Sequence, residues 1–160
     1  MGSASRIRVR SGKMMVCQGF LGGLVLEKRC VCGKPMSIGL RTVIYSNKVK
    51  IENVPVYSCT SCERSEVLHD VKKDLSSMLK DLEGNSEKLE IQFQEENELA
   101  FLLHEATRKE RAHIPVEKIV EERINQLLDM LILARSLGDD SWTRELRLRL
   151  SQIARGSIAT

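Results

Sequence analysis

Hydrophobic and polar residues alternate in two stretches in the first half of the chain, which is the pattern of half-buried β-strands. The stretches run from Met36 to Ile44 and from Val49 to Tyr57, and both are rich in β-branched residues. Ser46-Asn47-Lys48 between them is typical of a turn. The pattern therefore predicts a β-hairpin.

After the second stretch the apolar spacing changes from two residues to three and four, the period of one face of an α-helix. It predicts a connecting helix from about Ser65 to Glu83, ended by Gly84-Asn85-Ser86. Residues 84–90 form a polar link, and a brief alternation at residues 89–93 predicts a short strand. A further helix is predicted from Glu95 to about Arg111, with Leu99, Leu102 and Leu103 facing inward.

The strongest helical pattern lies in the last third of the chain. It starts at Pro115, which fits the first turn of a helix, and ends at Leu137-Gly138, where glycine is a common terminator. Asp139, Asp140 and Ser141 are candidate caps for a last helix that carries Trp142, Leu146, Leu150 and Ile153 on one face. The pattern predicts a helical hairpin, and its first helix is apolar nearly all round at residues 130–133, so something must cover both sides.

Residues 14–26 are apolar and follow basic residues, which superficially copies a signal peptide. The segment is too short for a bilayer, which needs about 20 residues, and it lacks a small-residue cleavage site. We expect one or two buried strands there, and no membrane association. With no other long apolar run, a cytoplasmic location is expected.

Charge is unevenly distributed along the chain, whose formal net charge is +3. Residues 1–13 contain four basic residues and no acidic one, whereas residues 73–112 contain ten acidic and six basic residues. The carboxylates at Glu95, Glu96 and Glu98, and those at Glu117, Glu121 and Glu122, are interpreted as solvated helix faces, and Arg144, Arg147 and Arg149 as a cationic strip. No glycine-rich phosphate loop, nucleophile motif or paired histidine site is present in the sequence, so we expect neither an enzyme nor a small-molecule substrate.

The cysteines carry the clearest chemical signal. Four of the five fall into two close pairs, Cys30-x-Cys32 and Cys59-x-x-Cys62, separated by the predicted hairpin. Zinc takes four thiolates at about 2.3 Å, and paired cysteines on two tight turns supply that geometry. In a cytoplasmic chain such pairs favour a metal over disulfides. We predict a structural Zn²⁺ held by Cys30, Cys32, Cys59 and Cys62.

Three alternatives remain open at this stage. The one-residue spacer of the first pair leaves little freedom, so Cys17 or His69 could replace one ligand. The cysteines could also be free thiols, or they could take part in redox catalysis. Redox catalysis is the weaker of these alternatives, because the second pair has a matching first pair, which favours a metal site.

The stretch Cys30-Val-Cys32-Gly33, the hairpin and Val54-Pro-Val-Tyr-Ser-Cys59-Thr-Ser-Cys62 resemble the YgiT-type zinc finger, the zinc-binding half of the MqsA-like antitoxins. The resemblance covers about residues 28–72. It implies that the four cysteines are structural zinc ligands, although the family usually has two residues between the first two. A helix-turn-helix like that of the antitoxins is not evident, so antitoxin function is not implied.

Together these patterns predict an α+β protein with an N-terminal β-rich zinc ribbon, a connecting helix and a C-terminal helical hairpin. We expect a non-enzymatic, bacterial zinc-binding regulatory or adaptor protein that binds a protein partner or itself through its helical part. The alternative is a nucleic-acid-binding zinc ribbon that uses Lys28, Arg29, Lys34, Arg41, Lys48 and Lys50. The predicted divisions are a basic arm or expression remnant at 1–13, a zinc-ribbon module at 14–72, connecting helices and a linker at 73–112, and a helical hairpin at 113–160.

Overall fold

The computed structural model describes residues 7–10 and 28–158. It is an α+β protein in which a largely antiparallel sheet is followed by helices, as the sequence predicts. The apolar segment at residues 14–26 and Cys17 lie outside the described residues. The strands are β1 (Ile7–Arg10), β2 (Lys28–Arg29), β3 (Pro35–Tyr45), β4 (Val49–Ser58), β5 (Ser65–Val67) and β6 (Leu89–Gln92); the helices are α1 (His69–Asp81), α2 (Phe93–Glu96), α3 (Glu98–Thr107), α4 (Val116–Ser136) and α5 (Asp140–Ile158), with a 3₁₀ turn at Lys109–Arg111.

Strands β3 and β4 form the predicted hairpin and the centre of the sheet. Their turn places Ser46 and Asn47 at positive φ, which asparagine tolerates better than most residues. The short strands β1 and β2 pair with β3, whereas β5 and β6 pair with β4. The predicted strand at residues 89–93 is confirmed, and it joins β4 in parallel.

The connecting helix begins four residues later than predicted. Ser65 to Val67 form β5 instead, because their backbone pairs with the end of β4. Helix α1 then starts at His69 and buries Val71, Leu75 and Leu79 against the sheet.

The helix predicted from Glu95 to Arg111 is broken at Asn97. This residue is extended, with φ −135° and ψ 129°, and its side chain accepts hydrogen bonds from the backbone N–H groups of Leu99 and Ala100. Asn97 therefore caps a separate helix, α3. The inward positions predicted for Leu99, Leu102 and Leu103 are confirmed, since all three are buried.

The core has two clusters that meet at α3. Leu99, Ala100 and Leu103 pack with the sheet and α1, whereas Leu102 packs with α4 and α5. The helical hairpin has the predicted ends: Gly138 follows α4 at φ 68°, and Asp139 accepts a hydrogen bond from the Trp142 backbone N–H at 2.9 Å. Helix α3 thus joins the cysteine-bearing sheet to the hairpin.

Candidate metal centre

The pairing of β3 with β4 brings the two cysteine pairs to one end of the sheet. In the antiparallel register Ser37, near the start of β3, lies opposite Ser58, the last residue of β4. Cys30 and Cys32 lie in the turn between β2 and β3, and Cys59 immediately follows β4. Antiparallel pairing alone therefore places the two cysteine turns side by side, although 26 residues separate them.

Each cysteine pair lies on a tight turn that closes a small hairpin. In the first turn the backbone N–H of Cys30 donates to the Lys34 carbonyl at 2.8 Å, and Gly33 adopts φ 86°. In the second, the N–H of Cys59 donates to the Arg64 carbonyl at 2.9 Å. Glycine at a positive φ avoids the strain that a side chain would meet there.

The four sulfurs converge. The Sγ atoms of Cys30, Cys32, Cys59 and Cys62 all lie within 4.8 Å of one another. Cys30 Sγ is 3.4 Å from Cys62 Sγ, and Cys32 Sγ is 3.6 Å from Cys59 Sγ. Four thiolates placed tetrahedrally at 2.3 Å from a zinc ion would be about 3.8 Å apart. The cluster is therefore of the right size to hold a metal ion.

The two turns expose their cysteines in the same way. Cys30 and Cys59, the first of each pair, are buried at 5% and 3% exposure, whereas Cys32 and Cys62 are exposed. All four are free thiols. A metal ion would be held against the end of the core on one side and would border solvent on the other.

The pKa values of the thiols show that the four cysteines interact closely with one another. Backbone N–H groups of Cys62 and Ser61 point at the Cys59 sulfur and lower the pKa of its thiol to about 6. At Cys62 the Arg64 N–H also lowers the pKa, but the Cys30 thiol, burial and the remaining cysteines outweigh it and raise the value to about 11. One thiolate thus forms readily and discourages its neighbours from ionising, whereas a bound cation would favour all four thiolates.

An ion pair that the sequence did not predict lies beside the cluster. Lys28 Nζ of β2 binds Glu66 Oε2 of β5 at 2.6 Å, and the Lys28 ammonium lies 5.7 Å from the centre of the Tyr57 ring. In the strand order β2-β3-β4-β5 these strands would be about 14 Å apart in a flat sheet. The ion pair therefore links the two outer strands, β2 and β5, each of which borders a cysteine turn.

Neither alternative ligand joins the cluster in the described part of the chain. His69 is exposed at the first residue of α1 and is not among the four grouped side chains. Cys17 lies outside the described residues, so the possibility that it acts as a ligand stays a prediction. The basic surface proposed for nucleic-acid binding is also less positive than predicted, because Lys28 and Lys50 are engaged in ion pairs with carboxylates.

One predicted surface carboxylate is buried, contrary to the sequence interpretation. Glu98 is fully buried, whereas Glu95 and Glu96 are exposed. Its carboxylate accepts hydrogen bonds from Arg123 at 2.7 and 2.8 Å and from Arg149 at 3.0 Å. Arg149 therefore does not belong to an exposed cationic strip. No sequence pattern predicts this cluster of one carboxylate and two guanidinium groups, because its three residues come from different helices.

No helix in the described part of the chain has the length and apolar character needed to cross a bilayer. The resemblance of residues 28–72 to YgiT-type zinc fingers stays a prediction, carried by the cysteine pattern alone. Comparisons of the chain with protein-family models, with curated proteins and with solved structures found no match.

Proposed function

We propose that this chain is a non-enzymatic regulatory or adaptor protein, in which a structural zinc ion at Cys30, Cys32, Cys59 and Cys62 fixes the sheet and the helical part binds a protein partner. The observation that carries the proposal is the convergence of four thiols within 4.8 Å. Four thiolates without a free position are the ligand set of a structural zinc site, whereas a catalytic zinc keeps a position open for water.

The choice of zinc follows from the ligands. Thiolates are soft donors that favour zinc or copper(I), and calcium and magnesium prefer oxygen. Zinc takes a tetrahedral set of four thiolates without a redox change of its own. A structural role follows because short strands such as β2 and β5, of two and three residues, have little core of their own.

The link from the metal to the helices runs through α3. Helix α3 packs on the sheet with Leu99 and Leu103 and on the hairpin with Leu102. A sheet fixed by zinc would hold α3 in place, and α3 would in turn position the hairpin for a partner. Exposed apolar side chains on α4, among them Ile132 at 69% exposure, support a binding role for the hairpin.

Protein binding is favoured over nucleic-acid binding by the charges around the sheet. Of the six basic residues considered, Lys28 is paired with Glu66, and Lys50 with Glu52 and Glu90. Paired lysines are poor phosphate ligands, because binding would first have to break the existing contacts.

Metal analysis of the purified full chain is the first test. We expect about one zinc per chain, released by a strong chelator with loss of the β-sheet signal in circular dichroism. A metal content below about half an equivalent after purification in zinc-containing buffer would contradict the proposal.

The class of partner is tested by salt dependence. Binding to a mixed-sequence oligonucleotide is expected to be absent or weak at both ~50 and ~200 mM salt, and unchanged by Lys48→Glu with Lys50→Glu. Tight binding at low salt that falls by orders of magnitude at high salt, and that the double variant abolishes, would instead support the nucleic-acid alternative.

A further inference from the structure

Helix α4 exposes apolar side chains on the side that its own chain does not cover. Leu128 is 42% and Ile132 is 69% exposed, and four residues separate them, so they are neighbours on the helix surface. Ile124 and Leu131 are half-buried and extend the same surface toward the hairpin core. We call Ile124, Leu128, Leu131 and Ile132 the outer strip.

The exposed members of the outer strip, Leu128 and Ile132, face away from α3. Arg123 of α4 binds Glu98 at the start of α3, which marks the side of α4 that α3 covers. Ile132 comes nine residues after Arg123, which at about 100° a residue places it half a turn around the helix axis. The strip is therefore open to a second helix.

The charges at the two ends of the strip are opposite. Glu121 and Arg135 each lie seven residues from Leu128, or about two turns, on the same side of α4. Glu121 is 62% exposed and touches Lys118 only at 3.4 Å, and Arg135 is exposed. Among the described residues no ion pair involves Arg135. Arg135 is thus available to a partner, and Glu121 can also meet one because its exposed contact with Lys118 is weak.

We propose that the outer strip is a homodimer interface, in which α4 packs antiparallel on α4 of a second copy with Leu128 at the two-fold axis. In this register, residues that lie equally far before and after Leu128 in the sequence face each other across the interface. Ile124 of one copy then faces Ile132 of the other, and Glu121 faces Arg135. A two-fold axis repeats each of these contacts.

The charges select the antiparallel arrangement. In a parallel pair in register, Glu121 would face Glu121 and Arg135 would face Arg135, and like charges across an interface are unfavourable. A partner that matches both the apolar strip and its charged ends is a second copy of this chain. The inference rests on the proposed function, since it names one partner of the helical part.

Sedimentation equilibrium of the zinc-loaded full chain tests the dimer. We expect a monomer–dimer equilibrium with a Kd on the order of 10 µM, because a single helix pair forms a small interface. Ile132→Glu puts one charged side chain from each copy into the apolar contact, and it should weaken the dimer at least about tenfold. Leu133→Glu is the matched control: Leu133 is 50% exposed, carries the same change on the same helix, and lies about 100° further around it, so the Kd should not change.

Charge exchange tests the register. Glu121→Arg and Arg135→Glu should each weaken the dimer about tenfold at low salt, and the double variant should restore it to within about threefold of the original. A double variant as weak as the single ones would overturn the antiparallel register. Circular dichroism of each variant verifies that the hairpin is folded.

The remaining outcomes separate this inference from the proposed function. A zinc-loaded chain that stays monomeric up to ~100 µM would overturn the dimer but leave the zinc site standing. Weakening by Leu133→Glu rather than Ile132→Glu would also overturn it, because another surface would then form the contact. Dimerisation of a chain that binds no metal would leave the dimer standing and contradict the proposed zinc site.

Discussion

The four cysteines and the Glu98 cluster, which consists of Glu98, Arg123 and Arg149, compensate negative charge in different ways. Both bring ionisable groups from distant parts of the chain into a partly or wholly buried place. At Glu98 the chain supplies its own cations, since Arg123 and Arg149 both bind the carboxylate within 3.0 Å. At the cysteines, the sulfurs contact backbone N–H groups and one another.

The difference shows where an external cation is needed. A buried negative charge is costly unless a positive charge or several hydrogen bonds compensate it. Two guanidinium groups meet that requirement at Glu98, so the helices are complete without a ligand. At the end of the sheet the sulfurs have backbone N–H groups and one another as partners, and a divalent metal is the counter-charge that would let all four thiols ionise.

Cys59→Ser is expected to have the largest effect, because it removes a buried ligand from the cluster. Structural zinc contributes on the order of 10 kcal/mol to small zinc modules, which is comparable with the whole stability of a domain. We expect loss of bound zinc and unfolding of the sheet, with much of the helical signal retained, because Leu127, Leu146 and Ile153 pack in a cluster of their own. Metal analysis and circular dichroism measure both effects.

Ser61→Ala is the matched control for that variant. Ser61 is exposed in the same turn and contributes its backbone N–H, not its side chain, to the Cys59 sulfur. It should keep its zinc and its stability. A Cys59→Ser protein that retains about one zinc and unfolds like the parent chain would show that the thiol cluster is not a metal site.

Glu98→Gln should destabilise the helical part next most strongly. The substitution keeps the shape of the side chain but leaves the Arg123 guanidinium, 15% exposed, without its counter-charge, and it leaves Arg149, 20% exposed, with only the exposed Glu145 among the described residues. We expect a loss of about 3 kcal/mol in the free energy of unfolding, measured by urea titration. Metal content should not change, since the residue lies in the other cluster.

Glu145→Gln is the control for burial. Glu145 binds the same Arg149 at 3.0 Å, but its side chain is 55% exposed. Its loss should cost less than about 1 kcal/mol, because water screens exposed pairs. Equal effects of the two substitutions would contradict the view that Glu98 is a buried charge in need of compensation.

Asn97→Ala should have the smallest effect of the three substitutions. It tests an uncharged buried side chain that precedes Glu98 in the chain. Asn97 is fully buried, caps α3, and donates to Asp74 Oδ2 of α1 at 2.8 Å. We expect a loss of about 2 kcal/mol, from the cap and from the lost hydrogen bond to Asp74, whose carboxylate keeps only the Gln152 side chain, in the described part of the chain, as a donor at 3.2 Å. Asn85→Ala, which removes an exposed turn contact to the Glu87 N–H, should cost well under half of that by the same urea titration.

Local sequence patterns predicted most of the elements because their causes are local. The turn at Ser46-Asn47-Lys48, the stop at Gly138 and the cap at Asp139 each depend on residues within a few positions. The same patterns misplaced two helix boundaries. Ser65 to Val67 form a strand because β4 offers them a backbone partner, and the helix expected at Glu95 starts anew after Asn97, because that side chain caps α3.

The burial of Glu98 shows the limit of reading charge from sequence. A glutamate among other acidic residues is usually solvated. Glu95 and Glu96, which precede Glu98, are indeed exposed. Its cations lie 25 and 51 residues further along the chain. No periodicity connects positions so far apart, so only packing of three helices could bring them together.

The sequence by itself determined the strand and helix periods, the turns and the pairing of the cysteines, because each depends on residues that are close in the chain. Only the tertiary structure decided that the four cysteine sulfurs converge within 4.8 Å at one end of the sheet, that β6 joins β4 in parallel, and that Glu98 is neutralised by two arginines. These features need groups from distant segments to share one place. Their energy comes from burial and charge compensation, which no single segment contains.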